Sequence, residues 1–281
     1  MTATDPNQTL EPPKDLSIMF YGKSGITACR LLASMTLIGL INVSLAENAP
    51  VTTDLRDAQI QSQGLRGDAA AIADAEAMVE KMGGMAVWAK MKGLHFVHEW
   101  YPWNRLDAYI ENEYIDLTGP RSRADRKSEI NYSIRTYSPE GKRWTVNNGE
   151  FVYGSEEQLK ADLARAPFNF YQLVHGIAIG DHYYEIRFGP GDIPGTRRLE
   201  FYGPDGALGG WIILNARKEP IVKATPEYRY TLGPLQRFGN LFVPRWGVYD
   251  NGFTRYEMIS LHGDSQPPDP SLFLPPPESM H

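Results

Sequence analysis

The chain has 281 residues and a formal net charge of −6, and 42% of its residues are hydrophobic while 22% are charged. This composition is typical of a soluble protein with enough apolar residues to build a core. It disfavours a nucleic-acid partner, because proteins that bind phosphate backbones concentrate basic residues on one face. The densest basic cluster, RSRADRK at residues 121–127, is interrupted by Asp125 and is interpreted as a solvated loop.

The N-terminal segment predicts export. Lys23 and Arg30 precede an uncharged, mostly apolar run at residues 31–43, and small residues up to Ala46 follow it. This is the layout of a secretory signal peptide, which we place at residues 1–46 with cleavage after Ala46.

Alternatives for this segment stay open. The apolar run is shorter than the roughly 20 residues that span a bilayer, but an uncleaved anchor is kept as an alternative. Met19 is a second candidate for the true start. Cys29, the only cysteine, precedes the apolar run and is not placed for lipid attachment. Cleavage would leave a mature chain without cysteine and therefore without disulfides.

The region after the signal peptide begins with a polar segment and continues with helices. Residues 47–67 are polar and irregular, and we predict a flexible arm there. From Asp68 apolar side chains recur at helical spacing until the pair Gly83 and Gly84, which ends a helix. A second short helical piece, MAVWAKMKG, follows at residues 85–93.

From residue 94 onward, short β-rich runs alternate with turn sequences such as SPEGK, VNNGE, GPDG and DNG. Asn, Asp and Gly tolerate positive φ, so this punctuation predicts a meandering antiparallel sheet. The meander is interrupted at residues 155–177, where Ser155 caps a helix and Pro167 separates it from a second helical segment. We predict one α+β domain at residues 68–275 and a tail at residues 276–281.

The stretch GNLFVPRWGVYD, residues 239–250, reads as a strand with Pro244 in its middle. Proline has no N–H to donate to a ladder, so it belongs at a strand end, an edge or a bulge. Either a strand ends at Val243, or this stretch lies at the rim of an open sheet.

The sequence offers no catalytic constellation. HFVHEW contains His95, His98 and Glu99, which on a helix would share a face as zinc ligands do. Its aromatic and β-branched residues favour a strand, in which His95 and His98 point to opposite faces and cannot bind one ion. The acidic pair Glu111 and Glu113 is interpreted as part of a surface strand. We predict no catalytic residue, no metal site and no cofactor.

Aromatic residues are abundant, with six Trp, fifteen Tyr and eleven Phe, nearly all in the β-rich region. They fill the core, or they line a concave cavity for an apolar ligand, and both interpretations stay open. Strand alternation in INYSIRTY places the more apolar set, which includes Ile134, inward and Arg135 outward. The predicted cavity-lining residues are Ile130, Tyr132, Ile134, Trp144, Phe170, Leu173, Trp211, Ile213 and Trp246.

The order of these elements resembles the LolA/LolB-like superfamily of periplasmic lipoprotein carriers over residues 68–275. The helical segment MGGMAVWAKMKGL and the closing stretch FGNLFVPRWGVYDNGFTRYEMISLHGDSQPPDPSLFLPPP carry the resemblance. It implies a single half-open antiparallel β-barrel whose concave face is covered by an N-terminal helix and by the mid-chain helical insertion. Pro244 would then mark a rim of the unclosed sheet.

The resemblance also implies a function. The chain would be a periplasmic, non-catalytic carrier or binding protein for a lipid, a lipidated protein or another hydrophobic small molecule. An envelope protein-interaction or stress-sensing module on the same scaffold, docking an envelope protein, is the main alternative. An enzyme using His95 and Glu99 is a further one. No nucleic acid is expected as a partner.

Overall fold

The computed structural model describes residues 64–104, 107–140, 142–191 and 193–276. The predicted signal peptide at residues 1–46 and most of the predicted arm lie outside the described residues. The described chain is an α+β protein in which a large, mostly antiparallel sheet is combined with a few helices. Among the described residues, no helix is long and apolar enough to cross a membrane.

Four α-helices and sixteen strands make up the described part of the chain. The helices are α1 Ala69–Lys81, α2 Met85–Lys90, α3 Glu156–Arg165 and α4 Phe170–Ile179, with 3₁₀ turns at Ala166–Phe168 and Pro270–Phe273. The strands are β1 Arg66–Gly67, β2 Gly93–Tyr101, β3 Tyr109–Asp116, β4 Arg121–Lys127, β5 Tyr132–Ser138, β6 Lys142–Asn147, β7 Glu150–Tyr153, β8 Glu185–Phe188, β9 Arg197–Tyr202, β10 Leu208–Leu214, β11 Pro220–Ala224, β12 Arg229–Leu232, β13 Leu235–Phe238, β14 Leu241–Pro244, β15 Trp246–Tyr249 and β16 Arg255–Asp264.

Fourteen strands form one sheet in the order β1-β8-β9-β10-β11-β12-β15-β16-β2-β3-β4-β5-β6-β7. Every neighbouring pair is antiparallel except β1 and β8, which are parallel. The two ends of this order, β1 and β7, do not pair with each other, so the sheet is not closed into a barrel. Residues 121–127, interpreted from the sequence as a solvated loop, instead form β4 inside this sheet.

Local sequence explains where the helices begin and end. Helix α1 starts directly after Asp68, and the chain leaves it through Gly83 and Gly84, whose φ angles of 125° and 101° suit glycine. Helix α3 is preceded by a capping box, in which Ser155 and Gln158 each accept a backbone hydrogen bond from the other.

Helix α4 packs on one face of the sheet, which we call the inner face. Leu173, Val174 and Ile177 of this helix are at most 2% exposed and belong to the main buried cluster. The ring of Tyr171 lies 5.2 Å from that of Phe96 on β2. The helical insertion therefore covers the sheet, as the sequence predicted.

The outer face of the sheet is covered over β4–β6 by the C-terminal 3₁₀ turn. Trp144 on β6 is 1% exposed and donates its indole N–H to the carbonyl of Phe273 at 3.0 Å. Arg123 on β4 donates to the carbonyl of Leu272 at 3.0 Å. The C-terminal 3₁₀ turn thus buries an apolar patch of the outer face that would otherwise be exposed to solvent.

Pro244 ends a strand, one residue later than the first of the two predicted alternatives places the end. It is the last residue of β14, which pairs only with β13 in a separate two-stranded ribbon, opposite Leu235. The ribbon is joined to the end of α1, because Phe242 donates its backbone N–H to Met82 at 3.0 Å. Pro244 therefore does not mark a rim of the large sheet.

Candidate ligand-binding cavity

The inner face of the sheet forms a partly open cavity of about 290 Å³ next to the N-terminal end of α4. We call it the inner cavity. Asn169 and six aromatic side chains line it together with six titratable or charged side chains. The aromatic residues are Phe96, Trp100, Tyr171, Tyr228, Tyr230 and Tyr256, and the others are His98, Glu111, Glu113, Arg126, Arg135 and Lys223.

Strand register explains one charged wall of this cavity. His98 on β2 lies opposite Glu111 on β3, and Glu111 lies opposite Arg126 on β4. Glu113 is two residues beyond Glu111 on the same face and is aligned, through Ala124 of β4, with Arg135 on β5. Because directly opposite residues project to the same side, the charges of β2–β5 gather on the inner face.

Lys223 reaches the cavity from the other arm of the sheet. Its strand, β11, is separated from β3 by the four strands β12, β15, β16 and β2. In a flat sheet five strand spacings would amount to about 24 Å, which is beyond the reach of a lysine side chain. Since Lys223 and Glu113 line one cavity, the sheet must curl so that its two arms face each other.

Glu111 is fully satisfied inside the protein. Its carboxylate is 3% exposed, forms an ion pair with the guanidinium of Arg126, and accepts a hydrogen bond from the indole N–H of Trp100 at 2.9 Å. An ion pair with this additional hydrogen bond compensates well for the desolvation of the carboxylate. Arg126 and Trp100 therefore hold the Glu111 carboxylate in place in the wall.

Glu113 is the titratable carboxyl of the cavity. Ser122 donates a hydroxyl hydrogen bond to it at 3.3 Å, and no ion pair to it occurs among the residues described. Burial, followed by the charge of Glu111, raises the pKa of Glu113 to about 7, although Arg135, Arg126 and Lys223 act in the opposite direction. Near neutral pH this carboxyl exists in both protonation states.

Lys223 is a cation surrounded mainly by aromatic rings. Its ammonium nitrogen lies 5.0 Å from the ring centre of Tyr230, 5.9 Å from that of Phe170 and 6.0 Å from that of Tyr256. Within the described ranges it forms no ion pair. Burial lowers the pKa of Lys223 to about 8, even though Glu113 and Glu111 favour the charged form.

His98 has no hydrogen-bond partner on either ring nitrogen within the described part of the chain, and the residue is only 6% exposed. Its ring contacts those of Tyr256 and Phe96 at 4.4 Å and 4.9 Å. Burial, with a smaller effect of Lys223, lowers the pKa of His98 to about 3, so the imidazole is neutral. Leaving such a buried polar group unpaired costs about 1–3 kcal/mol, so the cavity has an unfilled hydrogen-bonding requirement.

A second chamber of about 290 Å³ adjoins the inner cavity, and Glu113, Arg135, Asn169 and Tyr228 line both. At its outer end Arg165 of α3 donates to Glu227, in the turn between β11 and β12, at 2.6 Å. This exposed ion pair links α3, which packs against β5 and β6, to the turn between β11 and β12.

A larger and more apolar pocket, of about 470 Å³, lies on the other side of Arg165 and Glu227, around the ring of Phe168. A Cβ placed on Gly209 would come within 2.2 Å of that ring, so glycine is needed for Phe168 to pack there. None of the side chains that line this pocket is a buried polar group without a partner among the described residues. The inner cavity is therefore the better candidate site.

The predicted face of β5 is wrong. Ile130, before the strand, is 77% exposed and Tyr132 is 40% exposed, so neither lines a cavity. Ile134 lies opposite Asp125 and Val146, on the outer face. Arg135, predicted to point outward, is exposed to solvent but projects from the inner face, where it lines the open cavity.

The other predicted lining residues are also absent from the walls of this cavity. Phe170 and Leu173, which belong to α4, are buried in the core cluster between this helix and the sheet. The remaining four, which lie on the outer face or pack beneath it, are Trp144, Trp211, Ile213 and Trp246.

The predicted positions of the two strand histidines are confirmed. His98 faces the inner cavity, whereas His95 stacks on Tyr114 of the outer face with ring centres 4.3 Å apart. His95 and Glu99, proposed for an enzyme from the sequence, are both outside the cavity. Among the described residues no group of three His, Cys, Asp or Glu side chains could hold a metal ion.

The functional residues that sequence reasoning missed are Glu111, Glu113 and Lys223. A signal for two of them was present, because carboxylates two residues apart in a strand share one face. From the sequence alone the pair is interpreted as part of a surface strand, because surface strands commonly carry such pairs, whereas the structure places both carboxylates in the cavity wall. Lys223 sits singly in the apolar strand PIVKA, and nothing in the sequence places it opposite Glu113.

The solved structures that are similar to the chain include the following two. A DUF1329 family protein from Desulfovibrio piger is 8% identical with a TM-score of 0.39, over 69% of this chain and 93% of its own. MucB is 10% identical with a TM-score of 0.20, over 76% of this chain and 66% of its own. Similarity at this level assigns neither a family nor a function. No protein-family model matches the chain, and no curated protein matches its sequence.

Proposed function

We propose that the chain is a non-catalytic binding protein for a small amphipathic molecule whose polar, preferably anionic, head enters the inner cavity. This proposal rests on two polar groups of the cavity that lack partners among the described residues. Lys223 has no ion pair, and His98 has no hydrogen bond. Six aromatic rings in the same walls suit an apolar body.

The charge of the walls favours an anion. Arg126, Arg135 and Lys223 are opposed by Glu111 and by a partly protonated Glu113, which leaves an excess of positive charge. A neutral hydrocarbon chain gains about 0.8 kcal/mol for each CH₂ buried but would leave these groups desolvated and unpaired. The proposed ligand is therefore more polar than the lipid or lipidated protein that the sequence resemblance implies.

Paired ligands test this assignment. We expect octanoate to bind more tightly than 1-octanol, measured by displacement of a fluorescent probe, and the Lys223→Met variant to lose most of that difference. Lys160→Met, on the exposed side of α3, is the matched control. Equal affinity for the acid and the alcohol in the wild-type protein would contradict an anion-selective site.

Export of the chain is a second part of the proposal. It is supported by the basic residues Lys23 and Arg30, the apolar run at residues 31–43 and the small residues before the predicted cleavage after Ala46. Fusion of residues 1–46 to a reporter enzyme that is active only outside the cytoplasm tests it. An inactive fusion that retains its full mass would refute export.

Docking of an envelope protein is the alternative that a pull-down separates from ligand binding. A binding protein purified from its native compartment should release a small molecule on denaturation, detected by native and denaturing mass spectrometry. One stoichiometric protein partner and no small molecule would favour an interaction module instead.

A further inference from the structure

We propose that Lys223 captures carbonyl compounds in the inner cavity by forming an imine with an aldehyde or ketone. This inference rests on the proposed binding cavity, and it assigns a covalent chemistry to that site. It would give the protein a ligand class, small carbonyl compounds with an aromatic or apolar body, that reversible anion binding alone does not specify.

Lys223 differs from the other lysines that the structure describes. Lys218 has its ammonium bonded to Asp74 at 2.6 Å, and the remaining ones are exposed on the surface. Among the lysines of the described residues, Lys223 alone lines the inner cavity, with the ring centres of Tyr230 and Tyr256 at 5.0 Å and 6.0 Å from its nitrogen and no carboxylate of the described chain within ion-pair distance. An amine in such surroundings is desolvated and available as a nucleophile.

The protonation state of Lys223 supports this role. With a pKa of about 8, roughly 10% of the amine is neutral at pH 7, compared with about 0.04% for an ordinary lysine. Only the neutral amine has a lone pair to attack a carbonyl carbon. The environment therefore increases the reactive fraction by a factor on the order of 200.

The groups around Lys223 complete the chemistry. The amine nitrogen attacks the carbonyl carbon, the carbonyl electron pair moves to oxygen, and a proton from nitrogen is relayed to that oxygen to give a carbinolamine. Glu113, in its protonated form, then donates its proton to the hydroxyl group, the C–O bond breaks, and water leaves as the nitrogen lone pair forms the C=N bond. The iminium returns its remaining amine proton to the Glu113 carboxylate. The balance is amine plus carbonyl giving imine plus water, with Glu113 regenerated.

Borohydride trapping with 4-carboxybenzaldehyde tests the proposal. This probe carries an aldehyde, an aromatic ring and a carboxylate, which match the amine, the rings and the cationic walls. We expect reduction to fix one adduct per chain at pH 7, located on Lys223 by peptide mapping, at a rate at least tenfold above that of any surface lysine. Uniform labelling of the lysines would overturn the proposal.

Three variants make the result specific. Lys223→Met should abolish the fast adduct, whereas Lys160→Met should leave it unchanged. Glu113→Gln should slow trapping severalfold while binding of 4-carboxybenzyl alcohol, which has no carbonyl, persists. Circular dichroism confirms that each variant is folded, and fast trapping in folded Lys223→Met would refute the assignment.

The same alcohol separates the failure of this inference from the failure of the proposed function. If 4-carboxybenzyl alcohol binds the wild-type protein but the aldehyde gives no preferred adduct, the binding site stands and the imine does not. If neither compound binds or reacts at the cavity, both proposals fail.

Discussion

Replacing Lys223 by Met should stabilise the protein at neutral pH. Burial lowers the pKa of this lysine to about 8, while an unfolded chain leaves it near 10.4. The difference corresponds to roughly 3 kcal/mol of destabilisation at pH 7, since each tenfold change in proton affinity is worth about 1.4 kcal/mol. Methionine fills a similar volume without a charge, so we expect the free energy of unfolding to rise by about 1–3 kcal/mol.

The pH dependence gives this prediction its sharpest test. Between pH 8 and 10.4 the unfolded chain still binds the lysine proton that the folded chain has released, so the wild-type protein gains stability as pH rises. The advantage of Lys223→Met should therefore be complete below pH 8 and should shrink towards zero near pH 10.5. Ionisation of groups that Lys223 does not influence cancels in the comparison, because both proteins carry them, whereas Glu113 loses a neighbouring cation in the variant.

Urea unfolding of both proteins at pH 7, 9 and 10 measures the effect, with Lys160→Met as a control that should not differ from the wild type. A Lys223→Met variant that is destabilised at pH 7 would show that the ammonium contributes net stabilising contacts. An advantage that stays constant from pH 7 to pH 10 would show that the lysine is not desolvated. Either result would refute the reasoning about this residue.

Three further predictions concern the same region. In a displacement assay, Arg135→Glu should lower the affinity for an anionic probe at least tenfold, whereas Ile134→Glu should leave it nearly unchanged. This order is the reverse of the one expected from the sequence, and equal losses of affinity would contradict the faces assigned to the two residues. Affinity for octanoate should fall by roughly tenfold from pH 6 to pH 9, because Glu113 becomes negative near pH 7 and Lys223 becomes neutral near pH 8. An affinity that calorimetry finds unchanged over this pH range would contradict both titrations. Trp144→Ala should lower the free energy of unfolding, measured with urea, by about 3–5 kcal/mol while the affinity for the probe is retained. A loss of affinity without a loss of stability would show that the outer face takes part in binding.

The helices and the meander were predictable from local chemistry. The capping box at Ser155, the break at Pro167 and the glycine pair after α1 are signals that act within a few residues. Turn sequences such as VNNGE, with Asn148 at φ 50° and Gly149 at φ 94°, likewise specify a hairpin locally. These features depend little on the rest of the chain.

The face of β5 was not predictable in the same way. Alternation identifies two sets of side chains, but it does not say which set is inside. Of the apolar set, only Thr136 is buried, because the C-terminal turn at Pro270–Phe273 covers this end of the outer face, more than 120 residues away in sequence, whereas Ile130 and Tyr132 are exposed. The polar set with Arg135 faces a cavity instead of a dry core, which reverses the usual rule.

The two halves of the inner face differ in role: the half formed by β9 and β10 contributes mainly to stability, and the half formed by β2–β5 contributes mainly to the proposed binding. Leu199, Phe201 and Ile212 of β9 and β10 are fully buried and pack in the same cluster as Leu173 of α4, which accounts for a hydrophobic core without charges. On the opposite arm, β2–β5 present carboxylates and guanidinium groups to the same space, and only the N-terminal end of α4, at Asn169 and Tyr171, reaches them. A core residue replaced by a smaller one should thus destabilise the fold without changing ligand preference. Replacing the exposed wall residue Arg135 should change ligand preference with little loss of stability, whereas removing Glu111 would leave the guanidinium of Arg126 without its ion-pair partner. This separation explains how the chain can keep a desolvated lysine and an unpaired histidine: the apolar half of the same sheet supplies the free energy that offsets them.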